Sequence, residues 1–110
     1  MEEETERKIG QLQLLEQGMQ SFLMQKQQLQ TQLIEIESAL KELKDAKTIY
    51  KIVGNIMINS EKEALEKELK EKKERIELRI KTVEKQEKSL KEKASSVQAE
   101  VLEELKKKRQ

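Results

Sequence analysis

Carboxylates and ammonium groups are the reactive side chains that this sequence offers in number. It contains 22 Asp and Glu residues and 23 Lys and Arg residues, but no His and no Cys. Without those two residue types, the usual nucleophile–base pairs and transition-metal sites are missing. The carboxylates stand beside lysines at helical spacing, as in EKELKEK, which predicts solvated ion pairs rather than groups with shifted pKa values. We therefore expect no enzyme activity, no cofactor and no metal.

Binding of nucleic acid or of a membrane has equally little support. The net charge is +1, and none of the three glycines belongs to a phosphate-binding loop. A basic run, Lys106 to Arg109, could touch nucleic acid, but such runs more often complement the negative end of a helix. No apolar run approaches the roughly 20 residues that span a bilayer. We expect a soluble, cytoplasmic protein, in keeping with the absence of Cys.

The first half of the chain has the apolar spacing of a coiled-coil helix. Apolar residues alternate at intervals of three and four, and Lys26 is the one interruption. The series is Leu12, Leu15, Met19, Phe22, Leu29, Leu33, Ile36, Leu40 and Leu43. The spacing predicts a helix from about residue 3 to residue 45. Gly10 and Gly18 fall inside it and should loosen its first turns.

The second half repeats this seam with weaker apolar residues. One set recurs every seven residues: Leu69, Ile76, Val83, Leu90 and Val97. The companion set is Lys73, Ile80, Glu87, Ala94 and Val101. Ser60, followed by Glu61 and Glu63, is a suitable helix start, so we expect a second helix from about residue 61 to residue 107.

A β-hairpin is expected between the helices, over about residues 48–59. The β-prone runs IYKIV and IMI flank Gly54-Asn55, a pair typical of two-residue hairpin turns. The hairpin reverses the chain, so the predicted fold is mainly α, an antiparallel two-helix coiled coil. With Leu12 opposite Val97, every other predicted pair is also centred on the Gly54-Asn55 turn. Lys26 and Glu87 then lie in adjacent layers, either pointing separately into solvent or forming an ion pair that fixes the register.

The hairpin is apolar on both faces. Ile52 and Met57 are expected on one side, and Ile49, Val53, Ile56 and Ile58 mostly on the other. Two strands alone are marginal in water, and only Lys51 guards the edges. We therefore expect hairpins from several subunits to assemble into a closed β-barrel. The alternative is a passive turn with some β character.

The opposite end of the helix pair also holds spare apolar residues. Beyond the Leu12–Val97 layer the seam fades, because Val101 would face Lys8 and Glu104 would face Thr5. Ile9, Leu14, Val101, Leu102 and Leu105 cluster there and should be partly exposed. Exposed apolar surface of this kind marks an interaction site, unless the end is simply a frayed coiled coil.

The order helix, IYKIVGNIMINSEKEALEKELKEKKERIE, helix resembles the prefoldin family of cochaperones over essentially the whole chain. With its single hairpin the chain resembles the β-type subunits of that family, because the α-type subunits carry two hairpins. The resemblance implies one domain over residues 1–110 and a hexamer of two α-type and four β-type subunits whose hairpins form a double β-barrel. It also implies ATP-independent holding of unfolded proteins at the coiled-coil tips and their transfer to a group II chaperonin.

Carried onto this chain, the resemblance implies two sets of functional residues. The tip residues, which would bind clients, are Ile9, Leu12, Leu14, Leu15, Met19, Val97, Val101, Leu102 and Leu105. The hairpin residues, which would serve assembly, are Ile49, Tyr50, Ile52, Val53, Gly54, Asn55, Ile56, Met57 and Ile58. One rival is a structural coiled-coil adaptor that binds a specific partner helix. A second is a nucleic-acid-binding helical hairpin that uses the basic run.

Overall fold

Two long helices joined by one β-hairpin make up the chain. The structure, a computed structural model, describes residues 3–59 and 61–109, the side chains of residues 108 and 109 excepted. The elements are α1 (Glu3–Leu43), β1 (Tyr50–Val53), β2 (Ile56–Asn59) and α2 (Lys62–Arg109). This confirms the predicted mainly-α fold with its single hairpin. The expected helix start at Ser60 lies outside the described residues.

Helix α1 ends two residues before the predicted limit at Asp45, and local hydrogen bonds show how it stops. The N–H groups of Asp45 and Ala46 donate at 3.4 Å to the carbonyls of Glu42 and Leu43. The Lys62 Nζ donates to the Lys44 carbonyl at 2.7 Å, so a cation lies at the negative end of the helix. At the other end, acidic residues in the first turn complement the positive pole: Glu3, Glu4 and Glu6.

The chain divides into two compact units. The first consists of Met1–Gln27 together with Lys81–Gln110, and the second is Gln28–Ile80. In the first unit the two helix segments run antiparallel, since Lys8 contacts Glu104 whereas Lys26 contacts Glu87. The most buried apolar residues of this unit are Val83, Ala94, Val97 and Val101. The seam positions of α1 in this unit are half-buried: Leu12, Leu15, Met19, Phe22 and Lys26.

The second unit contains the rest of α1, the hairpin and the first part of α2. Its buried apolar residues are Leu43, Ile49 and Ile80. The remaining seam residues are half-buried: Leu29, Leu33, Ile36, Leu40, Leu69, Lys73 and Ile76. Glu37 and Lys73 form an ion pair at 3.8 Å, and this contact together with that of Lys62 to Lys44 shows that the helix segments run antiparallel. In both units every predicted seam position is therefore withdrawn from solvent, as a coiled coil requires.

Candidate interaction surfaces

The hairpin is built around a glycine turn in the predicted position. Gly54 has φ +61°, and no other described residue has a positive φ. A glycine with positive φ followed by a residue with negative φ is the pattern of a two-residue type II′ turn. The strands pair as Tyr50 with Asn59, Lys51 with Ile58, Ile52 with Met57, and Val53 with Ile56. The turn thus centres the strands on the register that the helix seam independently predicts.

Nearly all large side chains of the hairpin are exposed. Six of them have 49–68% of their surface accessible: Tyr50, Ile52, Val53, Ile56, Met57 and Ile58. Because directly opposed residues of an antiparallel pair share a face, Ile52 and Met57 lie on one face and Val53 and Ile56 on the other. Both faces of this two-stranded sheet are therefore apolar and uncovered, a contiguous surface of the kind that marks protein contacts.

Two hairpin residues differ from expectation. Ile49 is only 8% exposed, so it belongs to the interior of its unit and not to the exposed sheet face with Val53. Its position just before β1 explains this, because it no longer alternates with the strand residues. Lys51 does not stand free as an edge guard. Its Nζ donates to both carboxylate oxygens of Glu68, at 2.9 and 2.8 Å, and this hydrogen bond lowers the pKa of Glu68.

A polar cluster closes the helix pair in the unit that contains both chain ends. Thr5 is 1% exposed and its hydroxyl donates to the Glu104 carboxylate, while the Lys8 Nζ donates to the same group at 2.6 Å. Glu100 lies 3.5 Å from Lys8. The hydrogen bond from Lys8, followed by that from Thr5, lowers the pKa of Glu104, and the same contact with Glu104 raises the pKa of Lys8. Every buried polar side chain of the described residues has a partner.

This cluster corrects the expectation that the seam fades beyond Leu12 and Val97. Val101 is only 7% exposed, so the paired core continues past Val97 to Val101 and the Thr5–Glu104 contact. Apolar spacing alone could not show this, because Thr5 and Lys8 occupy the seam positions as polar residues. Their placement in the same three–four alternation, with Glu104 opposite Thr5, was the available signal.

The tip residues consequently fall into three groups. Leu14 and Leu102 are well exposed, at 69% and 54%. Val97 and Val101 are buried, which contradicts the expected partial exposure of Val101. The other five are half-buried: Ile9, Leu12, Leu15, Met19 and Leu105. Exposed apolar residues that the prediction missed also lie in this unit, namely Leu23 and Met24.

The two polar seam residues meet across the helices. The Lys26 Nζ lies 3.2 Å from a carboxylate oxygen of Glu87, and the two side chains are 20% and 28% exposed. Of the two expectations, the structure supports the ion pair. Gly18 provides a second close contact, because a Cβ built on it would come within 2.9 Å of the Leu90 Cδ1. Gly18 therefore allows close approach of α2, whereas it was expected only to loosen the helix.

The described residues contain no group of His, Cys, Asp or Glu suited to hold a metal ion. Within the same part of the chain, no helix is both long and apolar enough to cross a membrane. The candidate surfaces are the exposed hairpin and the exposed apolar residues of the helices.

Comparison with known proteins places this arrangement in a family. The family model described as prefoldin subunit matches residues 6–108. A prefoldin subunit beta from Archaeoglobus fulgidus is 43% identical over 93 residues, 82% of this chain and 80% of the relative. One from Saccharolobus islandicus is 39% identical over 108 residues, 94% of this chain and 85% of the relative.

A solved structure agrees with these sequence matches. The crystal structure of the prefoldin beta subunit from Thermococcus strain KS-1 superposes with a TM-score of 0.88, at 34% identity and with 94% of each chain covered. The family match over most of the chain and the shared fold lead to one conclusion: this chain belongs to the prefoldin subunit family, a family of non-enzymatic chaperone subunits.

Proposed function

We propose that this chain is a β-type subunit of a hexameric, ATP-independent cochaperone and acts as a single domain over residues 1–110. Four copies would join two α-type subunits, with the hairpins closed into a β-barrel body. The complex would work in the cytoplasm, hold unfolded client proteins and pass them to a group II chaperonin. The family membership and the relatives named prefoldin subunit beta support this proposal.

The observation that carries the proposal is the exposed hairpin. Its strands present six large side chains to solvent, on both faces, in a chain whose helices already cover their own seam. A two-stranded hairpin with open edges is marginal in water, and strands from neighbouring subunits would supply the missing pairing and cover the faces. Assembly through the hairpin therefore satisfies a surface that the single chain leaves unsatisfied.

Client holding rests on a different set of residues. Leu14 and Leu102 are exposed, and Ile9 and Leu105 are half-buried near the Thr5–Glu104 cluster. Each such patch is small, so one copy would bind an unfolded chain weakly and release it easily. Several copies on one body would raise the effective concentration of binding sites and hold the client without any single strong contact.

The test of assembly is native mass spectrometry of this chain, alone and mixed with a two-hairpin α-type subunit. We expect a defined hexamer in the mixture. Ile56→Ser should weaken this assembly. Ile34→Ser is the matched control, because Ile34 is equally exposed, at 64%, but lies on α1. A stable monomer or dimer that ignores the partner, or equal effects of the two substitutions, would argue for a passive turn.

The test of holding is light scattering during dilution of denatured citrate synthase. The assembled wild-type protein should suppress aggregation without ATP. If it assembles but leaves aggregation unchanged, the holding role fails, and a structural adaptor with a specific partner helix becomes the better account. Transfer is tested by adding a group II chaperonin and ATP, which should recover folded client from the complex.

A further inference from the structure

The exposed surface of α1 near its middle is almost free of charge. Between Gln11 and Gln25 ten side chains are exposed, and Glu16 is the only ionised one. The other nine form what we call the neutral face: Gln11, Gln13, Leu14, Gln17, Gln20, Ser21, Leu23, Met24 and Gln25. Charged residues make up 41% of the whole chain, so a surface of this length with a single charge differs clearly from the average composition.

The facing segment of α2 has the opposite character. The coiled-coil register sets residues 84–98 of α2 against residues 11–25 of α1, in the same compact unit. Seven residues of that α2 segment are charged: Glu84, Lys85, Glu87, Lys88, Lys91, Glu92 and Lys93. Charged exposed faces keep a helix pair in solution. In this unit the charged residues of α2 supply that solubility. The neutral face of α1 is therefore open to contact with uncharged polypeptide segments.

The neutral face combines apolar contacts with amides. Leu14 and Met24 are 69% and 64% exposed, and Leu23 adds a third apolar side chain on the flank. Methionine adapts its shape to irregular partners. Glutamine carries both a donor and an acceptor, so Gln17 and its neighbours can bond the N–H and C=O groups of an extended backbone, which every unfolded sequence provides.

We propose that the neutral face of α1 holds uncharged, extended segments of unfolded polypeptide. This inference rests on the proposed function and refines it. The paired helix ends cannot supply the whole contact, because Val97 and Val101 are buried between the helices. The occupant is an uncharged segment, because a charged one would lose solvation against Leu14 and Met24 and find no counter-charge there except at Glu16. Along residues 11–25 and 84–98, capture is thus on the α1 side, in addition to the contact that Leu102 offers near the end of α2.

Two matched double substitutions test this assignment. Gln17→Lys with Ser21→Lys places charge on the neutral face, and Gln86→Lys with Ser89→Lys makes the same chemical change on α2. All four positions are exposed and lie in the same unit, so the pairs differ in their helix and not in residue type or burial. The probe is a fluorescein-labelled peptide of 14 residues made of Leu, Val, Ser and Asn, followed by anisotropy on the assembled full-length protein.

We expect the α1 pair to raise the peptide Kd at least about fivefold and the α2 pair to change it less than about twofold. Wild-type binding should change little between low and high salt, since no ion pair contributes. Circular dichroism and native mass should be the same for both variants. Equal Kd values for the two variants would overturn the proposal. A changed native mass for the α1 pair would also overturn it, because the neutral face would then be an interface between subunits. Failure of the wild-type protein to suppress aggregation would instead reject the holding role itself.

Discussion

The ion pair in the seam allows a quantitative test of what holds the two helices in register. The side chains of Lys26 and Glu87 are 20% and 28% exposed, so their burial is intermediate between two known cases. Exposed ion pairs contribute about 0.2–1 kcal/mol, and disruption of a buried pair costs about 3–5 kcal/mol. Lys26→Met keeps the length and helix propensity of the side chain but leaves the Glu87 carboxylate unpaired. We expect it to lower the free energy of unfolding by about 1.5 kcal/mol.

The partner substitution and the double variant separate pairing from packing. Glu87→Met should cost less, about 1 kcal/mol, because a lone lysine can extend its ammonium group to solvent. The double variant removes both charges and places two methionines in the seam, so its stability should return to within about 0.5 kcal/mol of wild type. These values give a coupling energy of about 2 to 3 kcal/mol, as expected for residues in direct contact.

The assay is urea unfolding followed by helical circular dichroism, at one chain concentration because assembly adds to apparent stability. Lys70→Met is the control. Lys70 forms an ion pair with Glu66 at 2.9 Å, but its side chain is 63% exposed, so a loss below about 0.5 kcal/mol is expected. If the double variant loses the sum of the two single losses, the charges do not interact, and the two side chains simply point into solvent.

Three further predictions concern the packing and the polar cluster of the same unit. Gly10→Ala should raise the free energy of unfolding by up to about 1 kcal/mol. Gly18→Ala should raise it by less than half as much, because its new Cβ meets a leucine of α2 at 2.9 Å. Equal gains of the two variants in urea unfolding would refute the close approach. Val101→Ala should lower the free energy of unfolding by about 1 kcal/mol, since two buried methyl groups are lost and some helix propensity is gained. Leu102→Gln should change it by less than about 0.5 kcal/mol but weaken aggregation suppression. Similar losses of stability in the two variants would contradict the burial of Val101. The pKa of Glu104 is lowered from 4.5, so the stability that its carboxylate contributes is present above pH 4.5 and is lost as the pH falls through the folded pKa. Glu104→Gln should therefore reduce the change of the urea midpoint between pH 5 and pH 3. An unchanged dependence of the midpoint on pH would count against the cluster.

The periodic part of the fold was predictable because one physical rule governs it. A seam position must avoid water, and each residue from Leu12 to Leu43 in the three–four series is buried or half-buried. The turn was predictable for a separate reason, because Gly54 adopts the positive φ that a two-residue hairpin needs. Two independent rules agreed on one register, and the pairing of Val53 with Ile56 reproduces it.

Several features that escaped prediction involve polar or charged residues and their contact partners. The buried Thr5 and its contact with Glu104 extend the core, but hydrophobic spacing treats both residues as the end of the seam. Lys51 was assigned to solvent, because nothing in the local sequence shows that Glu68, beyond the first turn of α2, lies within reach. Charge partners depend on three-dimensional placement, so they follow from the register only after the elements have been built.

The distribution of apolar side chains separates two kinds of stability in this chain. Helix pairing is satisfied within the chain, because Val83, Val97 and Val101 are covered by α1 and α2 alone. The hairpin is not, because Ile52, at 68% exposure, finds no cover in the same chain. Substitutions in the seam should therefore change the unfolding of a single chain, whereas those in the hairpin should act through association and depend on chain concentration. Hairpin variants that lower stability equally at all concentrations would mean that the sheet is a local structural element and not an assembly surface.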